Sequence, residues 1–509
     1  MPHFQPPPVT GAPSSAGQRI DQARRALAGS RIGEPAHEQA LDALRALAVG
    51  PDGLEAQWLL GAYFLSAEAR PGAQAEAWTW LEPAARAGLV PAMDRLAAQH
   101  LRGLVRPVDR VAAIDLYHRI AERGFYRAAW ELGYLLDQNG ACPPSLPGVP
   151  GNAATAFARA CALGNPQAYL SLGLRFAQGA GVMRDPEFGQ ALLLRAADAR
   201  IPGARGAAER MTGTDTAAVQ DWHARLKANL DQAQPSLQHL QPEAGPGAPA
   251  PHPLLPRLEA HLAGIGHPAL RLDGEGRLQV AGGGDRAHLA EREPAWQWLS
   301  QSPRVAVAHD FATVEECAHL INKVAGQLAA ARSYTGSGSA NDEAELSFFT
   351  GEGTPIRALH ADAVVHTLEQ RLQRLTGWRA DAMEPCSIIR YLPGQAYRAH
   401  VDFFSARQIE DNARLRQDFG GQRLATFLLY LRVPDAGGET DYVQAGLKLR
   451  GESGMAVLHH NTTPEGIADP ASLHAGAAIE RGEKWLWRCT LRERPLVGDA
   501  ANGHPQQRG

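Results

Sequence analysis

The sequence is poor in several features that define large protein classes. Its 509 residues include five cysteines (Cys142, Cys161, Cys317, Cys386 and Cys489), scattered along the chain and without a Cys-x-x-Cys pair. That spacing argues against a disulfide framework and a structural zinc site, and for reduced thiols in a cytoplasmic protein. Long hydrophobic runs are missing too: no apolar stretch approaches the roughly 20 residues that cross a bilayer. The first residues, Met1 to Gln5 followed by Pro6, Pro7 and Pro8, have neither the charged nor the apolar region of an export signal. Cytoplasmic residence with no membrane partner is therefore expected. Positive charge is not in excess. Fifty Lys and Arg stand against 54 Asp and Glu, a formal net charge of −4, which excludes a generally basic nucleic-acid binder though not a local patch. Lysine is itself scarce, limited to Lys227, Lys323, Lys448 and Lys484. What is present is ordinary for soluble globular chains, with 44% apolar and 20% charged residues, and the length suggests about three units.

Organisation follows from repeats and linkers. Residues 1–34, rich in Pro, Gly, Ala and Ser, are expected to be disordered, at least in their first half. From 35 to 215 the chain is rich in Ala, Leu and Arg with helical periodicity. Within it Ala92, Ala128, Ala168 and Ala204 step by 36, 40 and 36 residues, the longer step coinciding with an insert at Pro143, Pro144 and Pro147. Leu60-Gly61, Leu96-Ala97, Leu132-Gly133 and Leu172-Gly173 step by 36, 36 and 40. Small residues at fixed positions let helices approach closely and glycine ends a helix, the pattern of an α-solenoid of helix hairpins. The run Gly179 to Asp185, followed by Ala191 and Ala196-Ala197, resembles the Sel1-like repeat. Such solenoids present a surface to a protein or peptide and carry no chemistry of their own. Residues 216–300 are expected to form a helix and a Pro-rich linker, 301–496 a second folded domain with β-rich segments punctuated by glycine, and 497–509 a disordered tail.

Two His-x-Asp pairs occur, His360-Ala361-Asp362 and His400-Val401-Asp402. In a strand, residues i and i+2 share a face and can bind one ion; in a helix they diverge. His360 precedes Val364, Val365, Leu368, Leu372 and Leu375, spaced as in a helix, which makes it a surface residue near a helix start. His400 follows Ser387 to Tyr391 and a Pro393-Gly394 turn, a strand–turn–strand pattern. Two histidines and one carboxylate on one face leave open positions and suit non-haem Fe(II). His459, His460 and His474 are candidates for the second imidazole. We select His474 because Lys484 follows ten residues later, where a cation on the next strand can hold a carboxylate of a co-substrate; a lysine in an Arg-dominated chain marks a compact point charge.

The segment Tyr391-Leu-Pro-Gly394-Gln-Ala-Tyr397-Arg-Ala-His400-Val-Asp402-Phe403 resembles the iron- and 2-oxoglutarate-dependent oxygenases of the prolyl 4-hydroxylase type. The likeness continues through Gly421 to Leu431, Gly437-Gly438-Glu439-Thr440, Ser472 to Gly476 and Gly482-Glu483-Lys484-Trp485. It implies that His400, Asp402 and His474 bind Fe(II), and that Lys484 holds the distal carboxylate of 2-oxoglutarate with Tyr391 and Thr426 as hydroxyl partners. It also implies a double-stranded β-helix (jelly roll) with flanking helices, dioxygen as co-substrate and ascorbate as reductant. Read from the residues alone, Tyr391 also fits a core aromatic and Thr426 an ordinary β-branched strand residue. Glu439 is expected to make supporting hydrogen bonds, and Trp485 and Trp487 to pack in the core. His459 and His460 depart from the apolar or aromatic residues usual before the asparagine; an imidazole there either lines the iron pocket or bonds locally at a strand end. Ser405–Asp418 and Ser333–Thr350 read as a mobile lid or as solvated loops. The expected activity is hydroxylation of an unactivated C–H bond, with release of succinate and CO2, on a prolyl or similar residue of a protein recruited by the repeats. The alternatives are the same chemistry on a free amino acid or small molecule, and a non-catalytic repeat scaffold.

Overall fold

The computed structural model describes residues 15–30, 34–51, 53–66, 73–139, 153–180, 182, 184–230, 270–272, 278–280, 294–330, 350–356, 358–417 and 419–496. The chain forms two compact units: a helical one up to residue 199 with 207–290, and a β-rich one from 291 onward with the stretch 200–206. Helices α1 (Ser15–Gly29), α2 (Pro35–Ala48), α3 (Leu54–Leu65), α4 (Ala73–Arg86), α5 (Val90–Arg102) and α6 (Arg110–Ala121) are followed by α7 (Tyr126–Asn139), α8 (Ala153–Ala162), α9 (Pro166–Gln178) and α10 (Pro186–Asp198). Short α11 (Ala204–Glu209) and α12 (Thr216–Leu230) come next. The presence of α1 corrects the expectation that residues 1–34 are disordered; the remainder of that segment outside α1, Ser30 and Glu34 lies outside the described residues, as do the prolines of the insert.

The repeat markers have physical explanations. α4, α6 and α8 each end on a glycine, Gly88, Gly124 and Gly164, with φ of 89°, 88° and 90°. Each glycine amide donates to the carbonyl three residues back, on Ala85, Ala121 and Cys161, a left-handed stop that other residues adopt only with strain. At the second marker, a Cβ on Gly133 would stand 2.8 Å from the Phe157 ring and one on Gly173 2.9 Å from the carbonyl oxygen of Gly189. Glycine there lets α7 meet α8, and α9 meet α10, at close range. Starts are set locally as well: Asn165 and Asp185, each followed by a proline at the first helical position, accept backbone amides of Gln167 and Phe188.

Strands β1 (Leu270–Leu272) and β2 (Leu278–Val280) pair antiparallel. The β-rich unit then runs β3 (Gln297–Gln301), β4 (Arg304–Ala308), helix α13 (Val314–Val324), β5 (Ala329–Ala330), β6 (Glu352–Pro355), helix α14 (Ala363–Thr376), β7 (Ser387–Tyr391) and β8 (Tyr397–His400). Next come α15 (Ala406–Asp411), α16 (Ala413–Gln417), β9 (Arg423–Arg432), β10 (Ala436–Gly437), β11 (Thr440–Tyr442), β12 (Leu447–Leu449), β13 (Ala456–His460), β14 (His474–Gly476), β15 (Ile479–Arg481) and β16 (Lys484–Arg492). Eight strands form a large antiparallel sheet in the order β3-β4-β13-β9-β16-β7-β6-β5, and four form a smaller one, β12-β11-β14-β8. α13 ends at Val324, and Ala329 and Ala330 just beyond it pair with β6.

The two sheets face each other across one core. Val305, Val307, Ile389, Tyr391, Leu428, Tyr430, Val457 and Leu486 of the large sheet form a buried cluster with Tyr442, on which Tyr397, Leu447 and Leu449 of the small sheet pack. This is the jelly roll. Side chains alternate across a strand, so the same inner face receives Thr426, His459, Lys484 and Arg488. The outer face is covered by helices: Phe311, just before α13, meets Phe427 of β9 at 5.1 Å between ring centroids, and Phe427 meets Trp487 at 6.0 Å. Glu316 of α13, fully buried, takes both guanidinium nitrogens of Arg371 on α14, at 2.9 and 3.0 Å. The charged stretch Ser405–Asp418 holds α15 and α16, and Phe404, Leu415 and Phe419 pack in a small cluster with Leu496. Of Ser333–Thr350, the other stretch read as a lid or a solvated loop, all but Thr350 lies outside the described residues. Among the described residues no helix is long and apolar enough to cross a membrane.

Candidate active site

β8 and β14 are neighbours in antiparallel register with His400 opposite His474, and Asp402 follows two residues after His400, just beyond the strand. The three side chains form the one group of metal-ligating type found among the described residues, with a ligand atom from each lying within 4.8 Å of the others. The imidazole centroids of His400 and His474 are 4.3 Å apart. His400 Nε2 lies 3.6 Å from Asp402 Oδ1, and His474 Nε2 3.9 Å from Oδ2. Each ring is oriented by its other nitrogen: Nδ1 of His400 donates to the carbonyl of Arg398 at 2.8 Å and Nδ1 of His474 to that of Ser472 at 2.9 Å. Both Nε2 lone pairs are thereby left for a metal. Burial holds His474 well below the ordinary imidazole value, with His459 and His400 acting in the same sense, and burial lowers His400 against the pull of Asp402. Both rings are therefore neutral, as ligands must be. The Tyr397 ring stacks on His400 with centroids 3.6 Å apart.

Asp402 is buried. Burial pushes its carboxyl up, but the His459 hydrogen bond and the nearby His474, His400 and Arg488 outweigh it and hold the group well below the usual carboxylate range. Oδ2 receives the Thr426 hydroxyl at 2.6 Å and His459 Nε2 at 3.4 Å. Asn461 Nδ2 in turn donates to the Thr426 oxygen at 3.1 Å.

Lys484 opens β16 and is 3% exposed. Its ammonium donates to the carbonyl of Gly438 at 2.7 Å, stands 3.4 Å from the Thr440 hydroxyl and lies 5.2 Å from the centroid of the Tyr430 ring. Among the described residues no carboxylate is within ion-pair distance of it. Burial lowers its pKa to about 8, with the charge of Glu439 opposing. A buried cation without a counter-ion is costly, and an anionic ligand would relieve that cost. Gly438 has φ of 76°, and a Cβ there would crowd Ile479 at 2.6 Å and Pro434 at 2.8 Å.

The structure thus brings together His400, Asp402 and His474 at β8 and β14 of the small sheet, and places Lys484 on the inner face of the large sheet that faces it. Tyr391 is buried and directly across from Lys484 in the β7–β16 register. Thr426 is placed differently from the expectation: its hydroxyl is on Asp402, and its cross-strand neighbour is Thr490, six residues along β16 from Lys484, roughly 20 Å of strand. The hydroxyl beside Lys484 is that of Thr440, bonded to Tyr430 at 2.6 Å. Burial raises Tyr430 to about 12, so it stays protonated. Sequence reasoning missed Tyr430, Thr440, Tyr442 and Asn461; the alternation of β9 marks Tyr430 as inward, but no sequence signal ties Thr440 to Lys484. Glu439 acts on Lys484 through its charge. Trp485 and Trp487 are core residues, 3% and 0% exposed. The two neighbouring histidines separate by strand parity. His459 faces the site, whereas His460 lies on the outer face between Trp298 and Trp378, at 6.0 and 6.1 Å, and burial lowers it to about 4. His360 is exposed and Asp362 caps α14.

No family model matches the chain. Prolyl 4-hydroxylase 5 of Arabidopsis thaliana is 30% identical over 229 residues, which cover 41% of this chain and 74% of that relative. Among solved structures, a viral collagen prolyl hydroxylase from Paramecium Bursaria Chlorella virus-1 aligns over 36% of this chain and 94% of that chain, at 22% identity and a TM-score of 0.29. A Sel1 repeat protein from Oxalobacter formigenes aligns over 42% of this chain and 82% of that chain, also at 22% identity, with a TM-score of 0.30. The chain is a 2-oxoglutarate-dependent dioxygenase whose β-rich unit is preceded in sequence by a unit of helices. It belongs to the prolyl 4-hydroxylase family.

Proposed function

We propose that this enzyme hydroxylates a prolyl, or similar, residue of a protein recruited by the helical repeats, using Fe(II) held by His400, Asp402 and His474. The observation that carries this reading is the conjunction of two neutral imidazoles and one carboxylate on the small-sheet side with a buried ammonium on the inner face of the large sheet that bonds no carboxylate among the described residues. The donor set fits ferrous iron: both Nδ1 atoms are committed to backbone carbonyls, and two histidines with one carboxylate leave coordination positions open. Iron bound there supplies the oxidising chemistry by which 2-oxoglutarate, dioxygen and a C–H bond become succinate, CO2 and C–OH.

The chain's own residues orient and enclose. Lys484 receives the distal carboxylate of 2-oxoglutarate, with Thr440 and Tyr430 as the nearest hydroxyls. Tyr391, kept protonated by burial, offers a further hydroxyl from the opposite strand. Thr426 serves the site through Asp402. The core cluster between the sheets keeps water from the co-substrate. Ascorbate is the reductant that restores enzyme after uncoupled cycles. The buried free thiols of Cys161, Cys317, Cys386 and Cys489 support a cytoplasmic setting.

The test is succinate formation by protein loaded anaerobically with Fe(II) and then exposed to air, with 2-oxoglutarate alone, with free L-proline and with proline-containing peptides and proteins. Stimulation by a protein at a KM well below that of short peptides supports recruitment. Stimulation by free proline alone would assign the chemistry to a small molecule. Failure to bind iron would overturn the site.

A further inference from the structure

His459 is fully buried at the end of the inner row of β13. Its ring is 4.4 Å from that of His474, centroid to centroid, yet it is not one of the three residues whose ligand atoms converge. Its two nitrogens reach elsewhere: Nδ1 to the Tyr442 hydroxyl at 3.0 Å, and Nε2 to Oδ2 of Asp402 at 3.4 Å. Asp402 decides which nitrogen carries the proton. An unprotonated Nε2 facing an ionised carboxylate would set two lone pairs against each other, so Nε2–H donates and Nδ1 accepts from Tyr442. Tyr442 is the right partner for that, since burial raises its phenol well above the ordinary value and keeps it a donor. It also comes from the other sheet, on β11 directly opposite His474. A chain of donors, Tyr442 to His459 to Asp402, therefore crosses from the small sheet to the large one and ends on the carboxylate.

Asn461 and Thr426 form a second such chain, ending on the same Oδ2. With both donors on one oxygen, Oδ1 is the one turned towards His400 Nε2. We propose that His459 is a positioning residue for the metal carboxylate. Through Tyr442 and together with Thr426 it engages Oδ2, so that Asp402 offers Oδ1 alone to the ion. Outer partners of this kind are worth 10- to 100-fold in metal affinity. The inference rests on the reading of His400, Asp402 and His474 as a metal site.

The probe is Co(II), titrated into the full chain and followed by its visible absorption, with folding of each variant checked by thermal unfolding. Wild type is expected to bind one ion and His400→Ala to lose it. His459→Leu is expected to raise the Kd about 10- to 100-fold and change the absorption envelope as the carboxylate swings. His459→Gln, which keeps a donor near the Nε2 position, restores most of the affinity, and Tyr442→Phe falls between the two. A folded His459→Leu within twofold of wild type, or a glutamine variant as weak as the leucine one, overturns the proposal. If His459→Leu does not fold, Tyr442→Phe decides: affinity and spectrum unchanged from wild type also overturn it. A wild type that binds no Co(II) sinks the metal site itself, whereas intact wild-type binding with indifferent His459 variants sinks only the role of His459.

Discussion

The molecule contains the same His-x-Asp pattern twice, and the two copies have opposite fates. At His360-Ala361-Asp362 the histidine is exposed in a single 3-10 turn, and the aspartate, fully buried, caps α14. Its Oδ1 accepts the amide of Val365 at 3.2 Å, and its Oδ2 takes the Lys323 ammonium at 2.5 Å and His319 at 2.9 Å. At His400-Val401-Asp402 the aspartate is also buried, at 7% exposure, but no lysine or arginine side chain bonds to it among the described residues. Its donors are a hydroxyl and an imidazole, both on one oxygen. Burial does not separate a ligand from a cap. What separates them is whether a cation of the chain already satisfies the carboxylate, and whether an oxygen still faces neighbouring imidazoles.

The comparison breaks most sharply under substitution of the acid. Asp402→Ala or His400→Ala should lower succinate formation at least about a thousandfold, several kcal/mol of metal-dependent stabilisation being lost, while His360→Ala leaves the rate as it was. Next in size is Lys484→Met. Removing one member of a buried charge pair costs about 2–5 kcal/mol, so the KM for 2-oxoglutarate should rise roughly 30-fold or more with Co(II) affinity unchanged. The same residue sets a pH dependence. Its ammonium is present below about 8 and lost above, so the wild-type KM should climb as pH passes 8, and the methionine variant should show no such climb. Asp362→Ala sharpens the contrast from the other side. It removes a helix cap and leaves Lys323 and His319 without their acid, which should lower stability in denaturant by about 1–3 kcal/mol while metal binding stays intact. The smallest effect belongs to Thr426→Val, a weakening of metal affinity of about tenfold at most. An increase in KM for 2-oxoglutarate instead would return Thr426 to the neighbourhood of Lys484.

Much of this was legible in the sequence because strands carry a strict period of two. That rule pointed to the pair at the end of a strand, although Asp402 itself lies just beyond β8, and it places Lys484 inward. It also divides His459 from His460, once the strand holding them is known. Its limit shows at Thr426. Alternation names the face on which a side chain lies but not its height along the sheet, and β9 stands six residues out of step with the position needed. Height depends on register, which here includes irregularities at Trp485/Leu486 and at His474/Gly476, and those come from packing rather than local pattern. Thr440, Tyr442 and Asn461 reach the site from other strands and turns, so no spacing near the motif announces them. In the helical unit the glycines were readable because each answers a local demand, a left-handed stop or a close helix approach. α1, with four alanines, three arginines and no proline, has a helical composition that the Pro-rich residues before it obscure.

The pairing of His400 with His474 has one further consequence. Among the described residues β8 is the outermost strand of the small sheet, paired only with β14, and its last residue, His400, is a proposed metal ligand directly opposite another, His474. An ion held by both would fasten that edge, so part of the cohesion of the sheet would be lent by the solution. At free metal a hundred times the Kd the contribution is about 2.7 kcal/mol. A chelator should then act first as a mild denaturant of β8, loosening the rim of the barrel before the rest of the unit responds.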